Sequence, residues 1–101
     1  MHLAWGMPVN AIKKQMGAEH ILDVRGLEQP EPLLRALAAL DALGNGGYLR
    51  LLSHRDPVLL YPLLSQQGFA CKSVDRAAIV ELLIWHKRDF TAAQRVRDLF
   101  T

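Results

Sequence analysis

Short apolar runs of strand length alternate with leucine-rich segments of helical periodicity along this chain. The runs are bounded by glycine or charged residues, a pattern typical of strands, and they predict strands at 20–24, 48–53, 69–74 and 79–87. The link 75–78 between the last two strands has the length of a hairpin connection.

Two helices are predicted between these strands. In the first, over 31–43, leucines recur on one face, and Pro32 suits the first turn because its missing N–H would be unpaired there anyway. The second helix follows Asp56. A proline inside a helix removes a hydrogen bond, so Pro62 predicts that this helix is either kinked or begins later than Pro57.

The order β-α-β-α-β-β predicts an α/β fold of the α+β type, a two-layer sandwich. A right-handed crossover makes the first two strands parallel, which gives a four-stranded mixed sheet with two helices on one face. We also expect helical extensions at both termini. The chain then divides into an N-terminal extension 1–19, a domain 20–87 and a C-terminal helical extension 88–101, in which Thr91 and Gln94 have capping-box spacing.

Both faces of the predicted sheet carry apolar residues. In the last strand Leu82 and Ile84 face one way, while Leu83 faces the other. A sheet face left open to water should be polar, so we expect either the terminal segments, with the terminal helix as the obvious lid, or another subunit to cover the second face. The residues predicted to form this interface are Tyr48, Trp85, Val96, Leu99 and Phe100.

Composition and charge narrow the class of protein. The chain has 101 residues, enough for one domain, and 12 Lys and Arg against 10 Asp and Glu give no basic surface typical of nucleic-acid binding. A single cysteine, Cys71, excludes an intramolecular disulfide and suits a reducing compartment. No apolar run approaches the ~18 residues of a membrane helix. We therefore expect a cytoplasmic protein without nucleic-acid or membrane partners.

The segment 22–32 resembles the first strand and helix start of the small TusA/SirA-like sulfur carriers. Its sequence is Leu-Asp-Val-Arg-Gly-Leu-Glu-Gln-Pro-Glu-Pro, where the carriers have the pattern Asp-x-Arg-Gly-x-x-Cys-Pro-x-Pro. The resemblance implies the fold of these carriers. It covers roughly 20–87 and continues through Gly46-Gly47, Asp56-Pro57 and Gly68-Phe69.

Gln29 stands at the position where the carriers keep their reactive cysteine. In the carriers a helix N-terminus favours a thiolate or persulfide at that position, whereas an amide cannot form a persulfide. The resemblance therefore does not imply sulfur transfer here. The chain is most similar to a branch of the superfamily that lacks the cysteine, has no settled activity and shares the downstream motif Tyr61-Pro62-Leu63.

The predicted binding site lies at the carboxyl ends of the first two strands, where the loops lead into both helices. Guanidinium groups and free N–H groups at such an edge suit a small anion. The alternative is that nearby acids neutralise the edge, with Asp23 simply bracing the loop. The predicted binding residues are Arg25, Gln29, Glu31, His54 and Arg55.

These patterns favour a small non-catalytic interaction or regulatory module, without catalytic residues or a cofactor, that associates with a protein partner or with itself. One alternative is a sulfur-relay protein that forms its persulfide on Cys71, with Lys72 lowering the pKa of the thiol; otherwise Cys71 is a small buried hydrophobe. A second alternative is a small-anion or haem-binding domain that uses His54 or His86. The histidines lack ligand spacing, so no metal site is predicted.

Overall fold

The computed structural model describes residues 19–101, and the predictions for 1–18 lie outside the described residues. The observed order of elements is the predicted β-α-β-α-β-β followed by a terminal helix, which confirms the fold class. The elements are β1 (Glu19–Asp23), α1 (Glu31–Asp41), β2 (Tyr48–Ser53), α2 (Leu60–Gln66), β3 (Phe69–Arg76), β4 (Ile79–His86) and α3 (Phe90–Asp98).

The four strands form one mixed sheet with the order β1-β2-β4-β3. β1 runs parallel to β2, as the right-handed crossover predicted, and the other two pairings are antiparallel. Within the described residues β1 and β3 are the edge strands. The β3–β4 hairpin turns through Ala77 and Ala78, so it is tighter than the predicted link 75–78.

One face of the sheet, the two-helix face, packs against α1 and α2. Leucines and one isoleucine alternate along β2 and β4, and their inward side chains are almost completely excluded from solvent. Burying them stabilises the fold by roughly 1.5–3 kcal/mol for each side chain. The centre of this core consists of Leu49, Leu51, Leu82 and Ile84 from the strands, Ala36 and Leu40 from α1, and Leu60 and Leu64 from α2.

The opposite face, the single-helix face, packs against α3. Tyr48, Leu83 and Val96 are buried there, with Trp85 at the margin. Two ways of covering this face were predicted, and in the structure the terminal helix covers it. A group of charged residues lies beside this cluster on the same face. Glu81 is only 4% exposed and accepts from Arg50 and Arg76, and Arg50 also pairs with Glu19 at 2.5 Å.

Helix α3 begins at a different cap from the predicted one. The carboxylate of Asp89 accepts from the N–H of Ala92 at 2.9 Å and from the N–H of Gly46 at 2.6 Å. The capping box of Thr91 and Gln94 is therefore wrong, because Asp89 caps the helix and also ties it to the turn before β2. Gly46 has a positive φ, and a Cβ there would lie 3.1 Å from the Arg95 guanidinium.

The start of α2 decides between the two predictions for Pro62. The helix begins at Leu60, so Pro62 lies in its first turn, where a missing N–H breaks no helical hydrogen bond. The prediction of a later start is confirmed. In the described part of the chain, no helix combines the length and the apolar character needed to cross a membrane.

Candidate functional site

The parallel pairing of β1 and β2 brings the carboxyl ends of both strands to one edge of the sheet. From this edge the chain runs through 24–30 into α1 and through 54–59 into α2. A cavity of 520 Å³, here called the edge pocket, lies between these connections. Its floor is apolar and buried and consists of Val24, Leu51 and Leu60.

Three of the five predicted binding residues line the edge pocket, namely Gln29, His54 and Arg55. All three are exposed and contribute to its polar rim. The Ser53 hydroxyl accepts from the Arg55 N–H at 3.1 Å and donates to the Arg55 carbonyl at 2.7 Å, which fixes the loop backbone. The Arg55 guanidinium makes no hydrogen bond or ion pair within residues 19–101, so its donors are available to a ligand.

Arg25 and Glu31 do not line the pocket. Arg25 donates from Nε and Nη2 to the Asp23 carboxylate at 2.8 and 2.7 Å, and these bonds lower the pKa of Asp23 from 3.8 to about 2. Glu31 accepts from Nε of Arg35 at 2.9 Å. The Asp23–Arg25 ion pair stabilises the loop. This is the alternative to an anion site that was given above. Binding roles for Arg25 and Glu31 stay predictions.

The apolar walls of the pocket and its tyrosine neighbour were not predicted from the sequence. Leu27 and Leu59 line the mouth of the pocket and are both exposed. Their position in loops, rather than on the apolar face of a helix, is the sequence feature that could have predicted them as pocket residues. The Tyr61 hydroxyl donates to Asp56 at 2.7 Å. Burial, together with this bond, raises the pKa of Tyr61 to about 12.

Cys71 lies outside the edge pocket, on edge strand β3. It pairs with Ile84, and Ile84 pairs with Leu49 near the amino end of β2. Cys71 is therefore level with the end of β2 that lies away from the edge pocket. The interpretation of Cys71 as a buried hydrophobe is wrong, because its side chain is exposed. A pKa lowered by Lys72 is also wrong: partial burial raises the pKa of the Cys71 thiol, and Lys72 lies on the other face, 4.9 Å from the centre of the Phe100 ring.

The two candidate histidine ligands lie at opposite ends of the sheet. His54 follows the carboxyl end of β2, whereas His86 is level with the amino end of β2 and stacks on Phe69 with 4.3 Å between ring centres. They therefore cannot bind one metal or haem together. Among residues 19–101, no three His, Cys, Asp or Glu side chains lie close enough together to hold a metal ion.

The five predicted interface residues divide between the interior and the surface. Tyr48 and Val96 are buried between the sheet and α3, and Trp85 is half-buried beside them. Leu99 and Phe100 remain exposed. The aromatic sheet face is therefore an intramolecular contact, and the carboxyl end of α3 holds the exposed members of the predicted set.

Comparison with known proteins agrees with this architecture. The chain is similar to the SirA-like protein from Desulfitobacterium hafniense, with a TM-score of 0.57 and 25% sequence identity over 63% of this chain and 92% of that chain. A search of curated proteins found no match. The profile of a family described as "Uncharacterized conserved protein (DUF2249)" matches residues 21–86. The chain therefore belongs to the DUF2249 family and has the fold of the SirA/TusA-like superfamily.

Proposed function

We propose that this protein is a small non-catalytic interaction or regulatory module, and that its edge pocket binds an apolar group carrying a hydrogen-bond acceptor. The observation that carries the proposal is the pocket itself. Its 520 Å³ falls within the roughly 300–1,000 Å³ typical of ligand sites, and it combines an apolar floor with a few polar groups at the rim.

The choice of an acceptor follows from which rim groups are already engaged. Arg55, with no partner among residues 19–101, and the Gln29 amide both offer N–H donors. Two carboxylates also line the pocket, that of Asp56, which accepts from Tyr61, and that of Glu28. The N–H groups of Arg55 and Gln29 outnumber the carboxylate oxygens of Glu28 and Asp56 that accept no hydrogen bond, so we propose a carboxylate or amide carbonyl as the head group of the ligand.

The pocket has no thiol, and its one hydroxyl, that of Ser53, is hydrogen-bonded to the Arg55 backbone, which supports a non-catalytic role. Gln29 lines the pocket where the resemblance to sulfur carriers would place a thiol, and an amide does not form a persulfide. The one thiol of the chain belongs to Cys71, on a different strand edge. Binding without covalent chemistry is the role that this set of residues fits.

Three probes with one apolar tail and different head groups test the proposal: octanoate, octanamide and octylamine. Each is titrated into the ¹⁵N-labelled protein. Octanoate and octanamide should shift the backbone amides of Leu27, Gln29 and Arg55. Octylamine should bind about tenfold more weakly, because an ammonium group accepts no hydrogen bond from Arg55 or Gln29. The proposal fails if none of the probes shifts these amides, or if the shifts map to α3.

The sulfur-relay alternative has one observation in its favour, the exposure of Cys71. The raised pKa of the thiol opposes it, because the thiolate is the species that accepts sulfur. Incubation with a cysteine desulfurase and its substrate, followed by mass spectrometry, separates the two functions. We expect no added sulfur on Cys71, with a cysteine-containing carrier as the positive control; a stoichiometric gain of one sulfur atom would favour the relay.

A further inference from the structure

A second concave surface lies at the opposite end of the sheet from the edge pocket, where β4 ends and α3 begins. This groove of 610 Å³, here called the Phe90 groove, is lined by His86, Arg88, Asp89, Phe90 and Arg95 together with part of the turn before β2. Phe90 is 84% exposed, more than any other large hydrophobic side chain in the described part of the chain. A single exposed aromatic residue is ordinary, so its surroundings decide whether it has a role.

The groups around Phe90 are mostly basic, and their donors are largely unused. The Arg88 side chain makes no hydrogen bond or ion pair within 19–101, and Arg95 donates only from Nη1, to the Gly46 carbonyl at 3.0 Å. Lys87 precedes them in the chain.

Asp89 is the one acid of the groove, and its position makes it a poor partner for these cations. One carboxylate oxygen accepts from the Ala92 N–H and the other from the Gly46 N–H. Both oxygens of the carboxylate are thus hydrogen-bonded to backbone N–H groups. Two exposed arginines with N–H groups that make no hydrogen bond within residues 19–101 remain beside an exposed ring, which is the arrangement that recognises a carboxylate next to an apolar side chain.

We propose that the Phe90 groove is a docking site for an acidic peptide segment of a partner protein, in which an apolar residue lies between carboxylates. The apolar residue packs on Phe90, and the flanking carboxylates bind Arg88 and Arg95. This surface is separate from the edge pocket, so the inference stands whether or not that pocket binds a ligand. A nucleic acid is the less favoured occupant, because the net charge of the chain is only +2 and a single aromatic residue offers no stacking series.

Fluorescence anisotropy tests the inference with the full chain and short labelled peptides. The first probe has a central leucine between glutamates. In the second probe serine replaces the leucine, and in the third lysines replace the glutamates. We expect binding of the first probe, weaker binding of the second, none of the third, and loss of affinity as salt rises. An oligothymidylate of similar length tests whether the groove binds a nucleic acid instead.

Matched variants locate the binding surface. Phe90→Ala and Arg88→Glu should each weaken binding of the first peptide by about tenfold or more, as expected for central anchors. The controls Leu34→Ala and Arg97→Glu change an exposed apolar side chain on α1 and an arginine elsewhere on α3, and they should leave the affinity unchanged. Because Phe90 and Arg88 are exposed, we expect all four variants to keep the wild-type circular dichroism.

Three results would overturn the inference. The first is equal peptide affinity in the wild type and in both groove variants. The second is tighter binding of the oligothymidylate than of the acidic peptide. The third is loss of peptide binding in an edge-pocket variant such as Leu59→Gln while Phe90→Ala binds normally, which would move the docking site to the other end of the sheet.

Discussion

The two faces of the sheet are covered in different ways. The two-helix face is almost wholly apolar in its interior, and at the carboxyl edge of β1 and β2 it ends in the edge pocket. The single-helix face has a smaller apolar cluster under α3, beside a network of ion pairs centred on Glu81. The difference teaches that a pocket with a buried apolar floor arises where the larger apolar core reaches the surface, and that the ion pairs of the other face stabilise contacts within the protein.

The largest expected effect concerns neighbouring leucines on β2 that point to opposite faces. Leu51→Ala removes a side chain that is 2% exposed in the two-helix core and should lower the free energy of unfolding by about 3 kcal/mol. Leu52→Ala, on the half-buried single-helix side, should cost about 1 kcal/mol. Urea denaturation of both variants measures the difference; equal losses would contradict the assignment of faces.

The ion-pair network gives the next largest effect. Glu81→Ala leaves Arg50 and Arg76 without their shared carboxylate and should cost about 2 kcal/mol, since both guanidinium groups retain some access to water. The control Glu31→Ala breaks an exposed pair with Arg35 and should cost less than about 0.5 kcal/mol. Denaturation at low and high salt measures both. A Glu81 variant as stable as the control would mean that the charged face adds nothing to cohesion.

A smaller effect is expected at the cap of α3. Asp89→Ala removes hydrogen bonds to Ala92 and Gly46 and should cost about 1–2 kcal/mol. The bonds from these two N–H groups lower the pKa of Asp89, so its contribution is present above the unfolded pKa and disappears as pH falls through the folded pKa. Unfolding of wild type and variant between about pH 5 and 2 should show the gap closing in acid; a constant gap would contradict the role of the ionised carboxylate.

The smallest expected effect is on the reactivity of the Cys71 thiol. Because partial burial raises the pKa of the Cys71 thiol, its alkylation by iodoacetamide at neutral pH should be slower than that of a free cysteine peptide, and unfolding in urea should remove the difference. Thiol titration against pH checks this directly. A rate faster than that of the peptide would indicate a thiolate and would revive the sulfur-relay alternative.

The strand and helix order followed from the sequence because the pattern signals are local. The apolar run 48–53, the first-turn prolines and the glycine turns each act within a few residues, and the right-handed crossover rule converts them into a parallel β1–β2 pair. That pair alone brings Gln29, His54 and Arg55 to one edge. The resemblance to the sulfur carriers implied the same fold.

The remaining features depend on long-range contacts that a single sequence does not specify. The order β1-β2-β4-β3 leaves β3 at an edge, and for that reason Cys71 is exposed. Asp89 caps α3 through a local bond from the Ala92 N–H, whereas its second bond, from the Gly46 N–H, is long-range; the spacing of Thr91 and Gln94 favoured the wrong cap. The engagement of Arg25 by Asp23 required side-chain geometry to distinguish a loop brace from a binding residue.

The measurement that tests the central claim most directly is calorimetric binding of octanoate to a pair of matched leucine variants. Leu59 lines the edge pocket and is 57% exposed, whereas Leu34 is 54% exposed on α1 and lies outside it. We predict that Leu59→Gln weakens octanoate binding about tenfold and that Leu34→Gln leaves it unchanged. Equal affinities in the two variants, or no octanoate binding by the wild type, would contradict the edge pocket as the binding site.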